Sequence, residues 1–287
     1  MPELPEVETV RRRLIHDGIA GRKILRAIVS WPRSVGGDPR AFDRDLRGRR
    51  IGDPRRRGKY LWFPLDDESS VLVHLRMSGR LWIAAGDSPL TGYERVRLAL
   101  DDYREIRFHD PRKFGRVLAV PLVEEALRSL GFEPLEGSES ARRLAWAAMA
   151  KRHRMIKALL LDQTAIAGLG NIYTDEALWL AGIAPWRRAH TLSSREIDDL
   201  RRAVEKVLNR GIANHGTALG SGLSNFVLPD GSDRARNQEE LSVFRRTGLP
   251  CPRCGTGIER IVVAGRSTHI CPRCQPSTVS IKPESSS

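Results

Sequence analysis

Two groups of residues in this 287-residue chain have the types and spacing to do chemistry, and the first lies at the amino terminus. Pro2 and Glu3 follow Met1, and an initiator methionine is normally removed before a small residue such as proline. The secondary amine of Pro2 would then be the first group of the chain. An α-amino group has a pKa of about 7.7–8.0, so a sizeable fraction is unprotonated at neutral pH.

A free secondary amine of this kind can attack a sugar carbon and form an iminium, which acts as an electron sink in Schiff-base catalysis. The carboxyl group of Glu3 could protonate a ring oxygen or shuttle protons beside it. Proline at position 2 is also common in unrelated proteins. Taken alone, therefore, the pair is compatible with catalysis but does not establish it.

The second group is the set of four cysteines, which lie close together near the carboxyl end. Cys251 and Cys254 form one Cys-x2-Cys pair, and Cys271 and Cys274 form another after sixteen intervening residues. Two such pairs can complete a tetrahedral sulfur site, which favours one structural zinc ion. Redox disulfides are the alternative, but a chain without a secretion signal disfavours them.

Between the cysteine pairs, residues 258–263 and 269–270 have the pattern of two strands. The sequence therefore predicts a zinc-held β-hairpin with Arg266 near its tip. In a module with a net positive charge, this arginine is a candidate DNA contact. The alternative is an ordinary solvated turn residue.

The composition restricts the class of protein. Hydrophobic residues make up 40% and charged residues 29% of the chain, which is typical of a globular protein and excludes wholesale disorder. No apolar run approaches the roughly 20 residues of a membrane span. The first ten residues contain three glutamates and no lysine or arginine, the reverse of a secretory signal. We therefore expect a cytoplasmic protein.

The formal net charge of +13 indicates a polyanionic partner. Residues 1–60 carry a net +8 and residues 245–274 a net +5, so these two segments account for the whole excess. Nucleic acid is the favoured partner, with anionic membranes and simple solubility as weaker alternatives. Two basic segments suggest two surfaces that bind one polyanion.

The elements that must position these residues change in type along the chain. Residues 3–18 are predicted to form a helix, because apolar residues recur on one face and glutamates occupy the first turns. From residue 23 to 120 the pattern is of short strands separated by turn signals, which is typical of a β-sandwich or barrel. The predicted strands are 24–29, 60–63, 71–75, 96–100 and 117–120.

Beyond a connection over residues 121–137, the period becomes helical from 140 to 215. Ser193 and Glu196 form a capping-box pair at the start of one helix. Residues 216–240 have the composition of a long loop. The cysteine module follows over 241–275, and the last dozen residues are predicted to be a disordered tail.

Six segments together resemble the Fpg/Nei family, that of bacterial formamidopyrimidine-DNA glycosylase. The similarity runs from Met1 to about Gln275. The segments are residues 1–9 (MPELPEVET), 57–61 (RGKYL), 74–79 (HLRMSG), 109–115 (HDPRKFG), 168–173 (GLGNIY) and the four-cysteine finger.

The resemblance implies an α+β multidomain protein that binds DNA between two lobes. The N-terminal lobe would be a β-sandwich catalytic domain with a leading helix, over residues 1–135. A helix–two-turn–helix domain with a lesion-capping loop would follow over 136–237, then a zinc finger over 238–276 and a disordered tail over 277–287.

The resemblance also implies the activity: excision of oxidised purines, chiefly 8-oxoguanine and formamidopyrimidines, followed by β- and δ-elimination of the abasic strand. Pro2 would be the nucleophile at the anomeric carbon and Glu3 the acid and base. Lys59 corresponds to the lysine assigned to phosphate contact and proton transfer. Arg266 corresponds to the finger arginine that binds the lesion phosphate and assists δ-elimination.

Further DNA contacts follow from the same resemblance. Met77, Arg112 and Phe114 correspond to the triad that fills the void left by an extruded base. Without the resemblance, Met77 and Phe114 would be assigned to the core and Arg112 to a surface turn.

Basic and amide side chains are implied to contact the DNA backbone, at Arg152, Lys157 and Asn171. Without the resemblance, the two basic residues would be solvated helix charges and Asn171 a helix cap. Tyr93 stands where many relatives carry the first histidine of a His-x-His, so it either keeps that DNA contact through its hydroxyl or loses it. The sequence of the capping loop, about residues 216–230, also differs from the one more common in the family.

Two other functions remain open at this point. One is a Nei-type glycosylase for oxidised pyrimidines, against which Leu4, Met77, Arg112 and Phe114 argue. The other is a zinc-finger DNA-binding protein without catalysis, which would need neither Pro2 nor Glu3. We expect double-stranded DNA with an oxidised base as the partner, no obligate protein partner and a monomer.

Overall fold

The computed structural model describes residues 1–218 and 235–276. Most of the predicted capping loop, residues 219–230, and the predicted tail, 277–287, lie outside the described residues. The chain forms two compact units: unit 1 contains residues 1–129 and 212–238, and unit 2 contains residues 130–211 and those from 239 onward. The domain boundaries expected at 135, 237 and 276 stay predictions.

The strands of unit 1 form two antiparallel four-stranded sheets. The first has the order β1-β6-β7-β5 and the second β2-β3-β4-β8. Their bounds are β1 Ile24–Val29, β2 Arg55–Arg57, β3 Tyr60–Pro64, β4 Ser70–His74, β5 Arg80–Ala85, β6 Glu94–Leu100, β7 Arg104–His109 and β8 Arg116–Val120. Alternating apolar residues supply one core to both sheets, as in Leu61 and Phe63 of β3.

Three helices accompany these sheets: α1 Leu4–His16, α2 Pro39–Leu46 and α3 Val123–Leu127. Pro5 lies in the first turn of α1, where the absent N–H costs no hydrogen bond. Val7, Val10 and Leu14 of α1 enter the core of the sheets. The helix therefore buries one face and holds its amino end at a fixed place on the sandwich.

Unit 2 consists of helices and the cysteine module. The helices are α4 Glu139–Ala150, α5 Ile156–Leu161, α6 Asn171–Ala181 and α7 Ser194–Ala213, and the strands are β9 Glu259–Val263 and β10 Arg266–Ile270. The predicted capping box of α7 is present: Ser193 N donates to Glu196 Oε2 at 2.8 Å and Glu196 N to Ser193 Oγ at 3.3 Å. Gly182 ends α6 in the left-handed region, which glycine adopts without strain.

The turn between α5 and α6 is organised by the Gln163 side chain. Its Nε2 donates to the carbonyls of Leu161 and Leu169, and its Oε1 accepts from Gly168 N at 3.0 Å. These bonds satisfy backbone groups that the turn leaves without partners. Helix α6 consequently begins at a defined position.

The predicted fold class, α+β with a β-sandwich, a helical region and a C-terminal β-hairpin bearing four cysteines, is confirmed. None of the helices in residues 1–218 and 235–276 combines the length and the apolar composition that a membrane span requires.

Gly131→Ala should destabilise unit 2. A Cβ at this position would lie 2.3 Å from the backbone carbon and oxygen of Ala165, so the two segments would have to separate. We expect the free energy of unfolding to fall by about 3 kcal/mol, measured by urea denaturation. Gly37→Ala is the control, because a Cβ there meets nothing within 4 Å. Equal stability of the two variants would contradict the close packing of Gly131 against Ala165.

Candidate active site and nucleic-acid interface

The amino end of α1 is held by the buried carboxylate of Glu6. Glu3 precedes the helix as its N-cap, and its backbone N–H donates to Glu6 Oε2 at 2.7 Å. The other oxygen of Glu6 accepts from Thr217 N, also at 2.7 Å. Pro2 and Glu3 are both buried. One carboxylate thus fixes the predicted catalytic pair and the first residues of the predicted capping loop.

Lys59 lies in the turn between β2 and β3, and an ion pair connects this hairpin to α1. Glu8 Oε2 lies 3.3 Å from Arg56 Nε, and Arg56 Nη1 donates to the carbonyl of Gly58 at 3.2 Å. Burial alone would raise the pKa of Glu8, but hydrogen bonds from Arg11 and Arg12 and nearby positive charge lower it to about 2. Glu8 is therefore charged at neutral pH and holds the Lys59 hairpin against α1.

His74 is an uncharged neighbour of this region. Burial, followed by the charges of Arg76 and Lys59, lowers the pKa of His74 to about 3. Its Nδ1 accepts from Arg76 N at 3.0 Å, and its ring packs edge-on against Tyr60. Arg76 has a φ of 54°, a conformation that most residues avoid. His74 therefore stabilises the tight turn that carries Met77.

The predicted void-filling triad is presented on two loops of unit 1. Met77 is 39% exposed and Phe114 49%, so neither is a core residue. The Arg112 guanidinium carbon lies 5.1 Å from the centroid of the Phe114 ring, within cation–π range. The structure thus brings Arg112 and Phe114 together at the surface.

A single buried carboxylate, Asp110, joins the two loops. Its Oδ1 accepts from the hydroxyl of Ser78, which follows Met77, and from Arg112 N at 3.2 Å. Its Oδ2 accepts from Gly115 N at 2.7 Å. These charge-assisted hydrogen bonds set the spacing of the loops that carry the triad.

A third loop, which carries Tyr93, is bonded to the backbone of Asp110. Asp110 N donates to the Tyr93 carbonyl at 3.0 Å, and the buried Arg95 donates from Nε to the Asp110 carbonyl at 2.8 Å. The partly exposed Tyr93 ring packs edge-on against His109. Tyr93 therefore lies beside the triad loops, and its contact with DNA stays a prediction.

In unit 2, Arg266 is exposed and lies at the first position of β10. It pairs with Val263 across a two-residue turn, in which Ala264 and Gly265 have φ values of 51° and 69°. Two positive φ values are characteristic of the type I′ hairpin turn. The tip is thus shorter than predicted, and Arg266 belongs to the strand.

The predicted contact of Lys157 with DNA stays a prediction, and the structure places this side chain in the interior. Its side chain is 0% exposed and its Nζ lies 2.6 Å from Asp175 Oδ1. A buried ammonium group needs a compensating charge, and Asp175 supplies it inside the protein. A direct phosphate contact would require this ion pair to open.

Asn171 and Arg152 have different environments. Gly170 is the N-cap of α6, so Asn171 is its first helical residue and not a cap; its Nδ2 donates to the Ser267 carbonyl at 2.8 Å. Arg152 is exposed just after α4 and is free to reach a phosphate from the surface. Their contacts with DNA stay predictions.

The four cysteines fit a structural zinc ion. Their sulfur atoms all lie within 4.8 Å of one another, with Cys254 and Cys271 3.4 Å apart and Cys251 and Cys274 3.9 Å apart. A tetrahedron with Zn–S bonds of about 2.3 Å has sulfur atoms about 3.8 Å apart. None of the four, all of which lie in the described residues, is in a disulfide. The donor set leaves no position for a reactant, so the ion is structural.

Sequence reasoning missed the carboxylates that hold these loops, Glu6 and Asp110. Asp110 carries a detectable signal, because an aspartate before Pro-Arg-Lys at the end of a strand is a frequent turn former. Glu6 stands three residues after Glu3, the spacing of a capping box. Its second partner, Thr217, is 211 residues away and leaves no local signal.

Taken together, the fold and the site define an α+β zinc-finger protein with a proline–glutamate pair at the amino end of a helix. Three family models match the chain in succession. They describe the formamidopyrimidine-DNA glycosylase N-terminal domain over residues 1–117, the formamidopyrimidine-DNA glycosylase H2TH domain over 130–221, and a zinc finger found in FPG and IleRS over 248–276.

Curated relatives match over nearly their whole length. The formamidopyrimidine-DNA glycosylase of Herpetosiphon aurantiacus is 45% identical over 96% of this chain and 100% of its own. That of Moorella thermoacetica is 47% identical over 91% and 94%. A solved complex between Lactococcus lactis Fpg and DNA containing an abasic site superposes with a TM-score of 0.85 at 35% identity, over 96% and 100% of the two chains. The chain belongs to the formamidopyrimidine-DNA glycosylase family.

His74 should make stability dependent on pH. Its pKa is lowered on folding, from an ordinary 6.5 to about 3, so the unfolded chain binds the proton more readily. Its stabilising contribution is complete above pH 6.5 and is lost as the pH falls towards 3, at no more than about 1.4 kcal/mol per pH unit. His74→Asn, which keeps an acceptor near Nδ1 but does not titrate, should flatten the curve of unfolding free energy against pH.

The control for this measurement is His215→Asn in the same unit. His215 is exposed and has a φ of 56°, a conformation that asparagine tolerates. An unchanged slope in His74→Asn, or an equal change in His215→Asn, would contradict the role given to the buried ring.

The purified protein should contain one zinc ion per chain, and Cys254→Ser should contain almost none. Two strands alone are marginally stable in water, so β9 and β10 should lose their order with the metal. Metal analysis and hydrogen exchange over residues 251–274 measure both effects. Arg260→Ala, an exposed change in β9, is the control and should keep its zinc. Full zinc occupancy in Cys254→Ser would show that another ligand set holds the ion.

Proposed function

We propose that this chain is a bifunctional DNA glycosylase and abasic-site lyase of base-excision repair that removes oxidised purines. Its substrates are 8-oxoguanine and formamidopyrimidines in double-stranded DNA. Family membership and the nearly complete coverage of the relatives support this assignment. Related solved structures contain the same classes of DNA, including a complex of MutM with carbocyclic 8-oxo-G DNA at a TM-score of 0.85 and 35% identity.

The reaction begins at Pro2 once Met1 is removed. The amine lone pair attacks the anomeric carbon, the glycosidic bond breaks, and its electron pair leaves with the base. The nitrogen gives up its proton, which the departing base takes up, so the nitrogen lone pair is again available to form the iminium. Glu3 protonates the sugar ring oxygen as the ring opens, and the iminium that results withdraws electrons from the neighbouring carbon. Loss of a proton there expels the 3′ phosphate by β-elimination, and δ-elimination then expels the 5′ phosphate.

The remaining site residues bind the DNA around this reaction. Lys59 contacts a phosphate and moves a proton during β-elimination, and Arg266 binds the lesion phosphate and assists δ-elimination. Met77 and Phe114 occupy the space of the extruded nucleotide, and Arg112 hydrogen-bonds the orphaned partner base. Tyr93, Arg152 and Asn171 add backbone contacts. The zinc ion holds the hairpin of Arg266 and takes no part in bond breaking.

The observation that carries the proposal is the anchoring of separate segments to the amino end of α1. Glu6 bonds both Glu3 N and Thr217 N, and Glu8 bonds the hairpin of Lys59 through Arg56. A DNA-binding protein without catalysis would need no buried carboxylates around its first residues. This arrangement therefore favours an enzyme whose terminal amine must be held in place.

The bacterial relatives also suggest the setting. We propose that the protein acts as a monomer in the bacterial cytoplasm and associates with the nucleoid when it binds DNA. The zinc finger and the surface of unit 1 would each contribute part of the DNA contact.

Borohydride trapping tests the reaction. A duplex with one 8-oxoguanine opposite cytosine is incubated with the protein and reduced, and we expect a covalent protein–DNA adduct because borohydride reduces the iminium. The matched control is the same chain with an uncleaved amino-terminal extension, which blocks the amine without changing the fold. Mass spectrometry of the purified protein verifies that Met1 is absent.

Three outcomes separate the alternatives. Tight DNA binding without an adduct would overturn the proposed catalytic activity and favour a DNA-binding protein without catalysis. An adduct with the extended chain would exclude Pro2 as the nucleophile. Faster excision from a duplex with an oxidised pyrimidine than from the 8-oxoguanine duplex would favour the Nei-type activity.

A further inference from the structure

The ammonium group of Lys157 is bound by several partners in the interior of unit 2. Besides Asp175 Oδ1 at 2.6 Å, it donates to the hydroxyl of Thr268 at 2.7 Å and to the carbonyl of Ser267 at 3.2 Å. The side chains of Lys157 and Asp175 are both 0% exposed. Desolvating two charges is costly, so such a pair is weak evidence for added stability and is better interpreted as a device that fixes position.

Two of these partners, Ser267 and Thr268, lie on the strand that begins with Arg266. The Thr268 hydroxyl accepts from Lys157 and donates to the carbonyl of Arg266 at 3.0 Å. An ammonium group that bonds the hydroxyl oxygen polarises its O–H and strengthens the bond to the carbonyl. Lys157 is thus connected to the backbone of Arg266 through one side chain.

The neighbouring backbone groups of β10 are held by the same cluster. The Ser267 carbonyl accepts from both Lys157 Nζ and Asn171 Nδ2, and Asp175 Oδ2 accepts from His269 N at 2.9 Å. Lys157 lies on α5 and Asp175 on α6, so two helices hold the start of the strand. The guanidinium of Arg266, in contrast, is exposed.

The hairpin turn is short, so the backbone of Arg266 has little freedom to move relative to this cluster. Only Ala264 and Gly265 separate the paired residues Val263 and Arg266. Because the backbone of residues 266–269 is fixed by buried and partly buried hydrogen bonds, the exposed side chain of Arg266 projects from a defined point. The hairpin by itself, with two strands, would not provide this.

We propose that Lys157, acting through Thr268, is a positioning residue for Arg266. Its ammonium group aims the exposed guanidinium at a DNA phosphate without touching DNA itself. The inference rests on the phosphate contact proposed above for Arg266. It gives the buried lysine a role in DNA binding that its lack of exposure would otherwise exclude.

Thr268→Val is the variant that tests the connection. Valine has nearly the shape of threonine and replaces its hydroxyl by a methyl group, whereas Lys157→Met would leave the Asp175 carboxylate buried without its cation and could prevent folding. Thr268→Ser keeps the hydroxyl and is the matched control. Zinc content and the melting temperature verify that each variant folds.

The measurement is the affinity for a duplex with a tetrahydrofuran abasic analogue, which cannot be cleaved, over a range of salt concentrations. Loss of one phosphate contact lowers the slope of log K against log salt by about 0.9. We expect Arg266→Ala to show this change with about tenfold weaker binding. Thr268→Val should show a change of the same kind, with binding at least about threefold weaker, and Thr268→Ser should bind like the wild type.

A double-mutant cycle provides the decisive comparison. If the threonine acts through Arg266, Thr268→Val combined with Arg266→Ala should bind no more weakly than Arg266→Ala alone. Additive losses, or wild-type affinity and salt slope in Thr268→Val, would overturn the inference while leaving the proposed function intact. If the wild type fails to prefer the abasic duplex over an undamaged one, the proposed function fails and this inference fails with it.

Discussion

The carboxylate of Asp110 is the interaction on which the arrangement of the loops that carry Met77, Arg112 and Phe114 depends. It is fully buried and accepts hydrogen bonds from Ser78, Arg112 and Gly115. The loops that carry Met77, Arg112 and Phe114 do not pair with each other as strands do, so a side chain must satisfy their backbone groups. Glu6 acts in the same way at the amino terminus. Buried carboxylates thus hold the loops of the surface that would fill a gap in DNA, although the chain as a whole is strongly positive.

Net charge therefore indicated the class of partner but not the residues that meet it. In the basic segment 1–60, Arg11, Arg12 and Arg56 all bond Glu8 and serve to hold elements together. Lys157 is a cation that never reaches the surface. Arg266, by contrast, is exposed. A sequence shows which residues are basic. Whether such a residue forms an ion pair within the protein or remains exposed to a partner depends on neighbours that only the fold supplies.

The same distinction explains which elements could be predicted. Five strands have local apolar runs that the sequence displays, and the structure contains strands at those places. The missed strands are β2, β5 and β7, and β7 illustrates the reason. Arg107 in its centre is 2% exposed, bonded to Glu105 and to the carbonyls of Ala85, Ser88 and Pro89. A buried arginine breaks the apolar pattern, and the three carbonyls that it bonds lie in an earlier segment of the chain, residues 85–89. The cysteines and the proline–glutamate pair could be predicted because the members of each set lie close together in the sequence. The partner of Glu6 in residues 216–218 could not be predicted, because it lies far from Glu6 in the chain.

Unit 1 is built from two stretches of chain, and this has a consequence for the order of events during synthesis. Ala235 belongs to its core, and Thr217 N supplies a hydrogen bond to Glu6. The ribosome has already produced the helices of unit 2 before these residues emerge, at about 5–20 residues per second. The amino end is made first, yet it reaches its final environment late. A nascent chain interrupted before residue 216 would carry the proposed nucleophile without the backbone amide that completes its support.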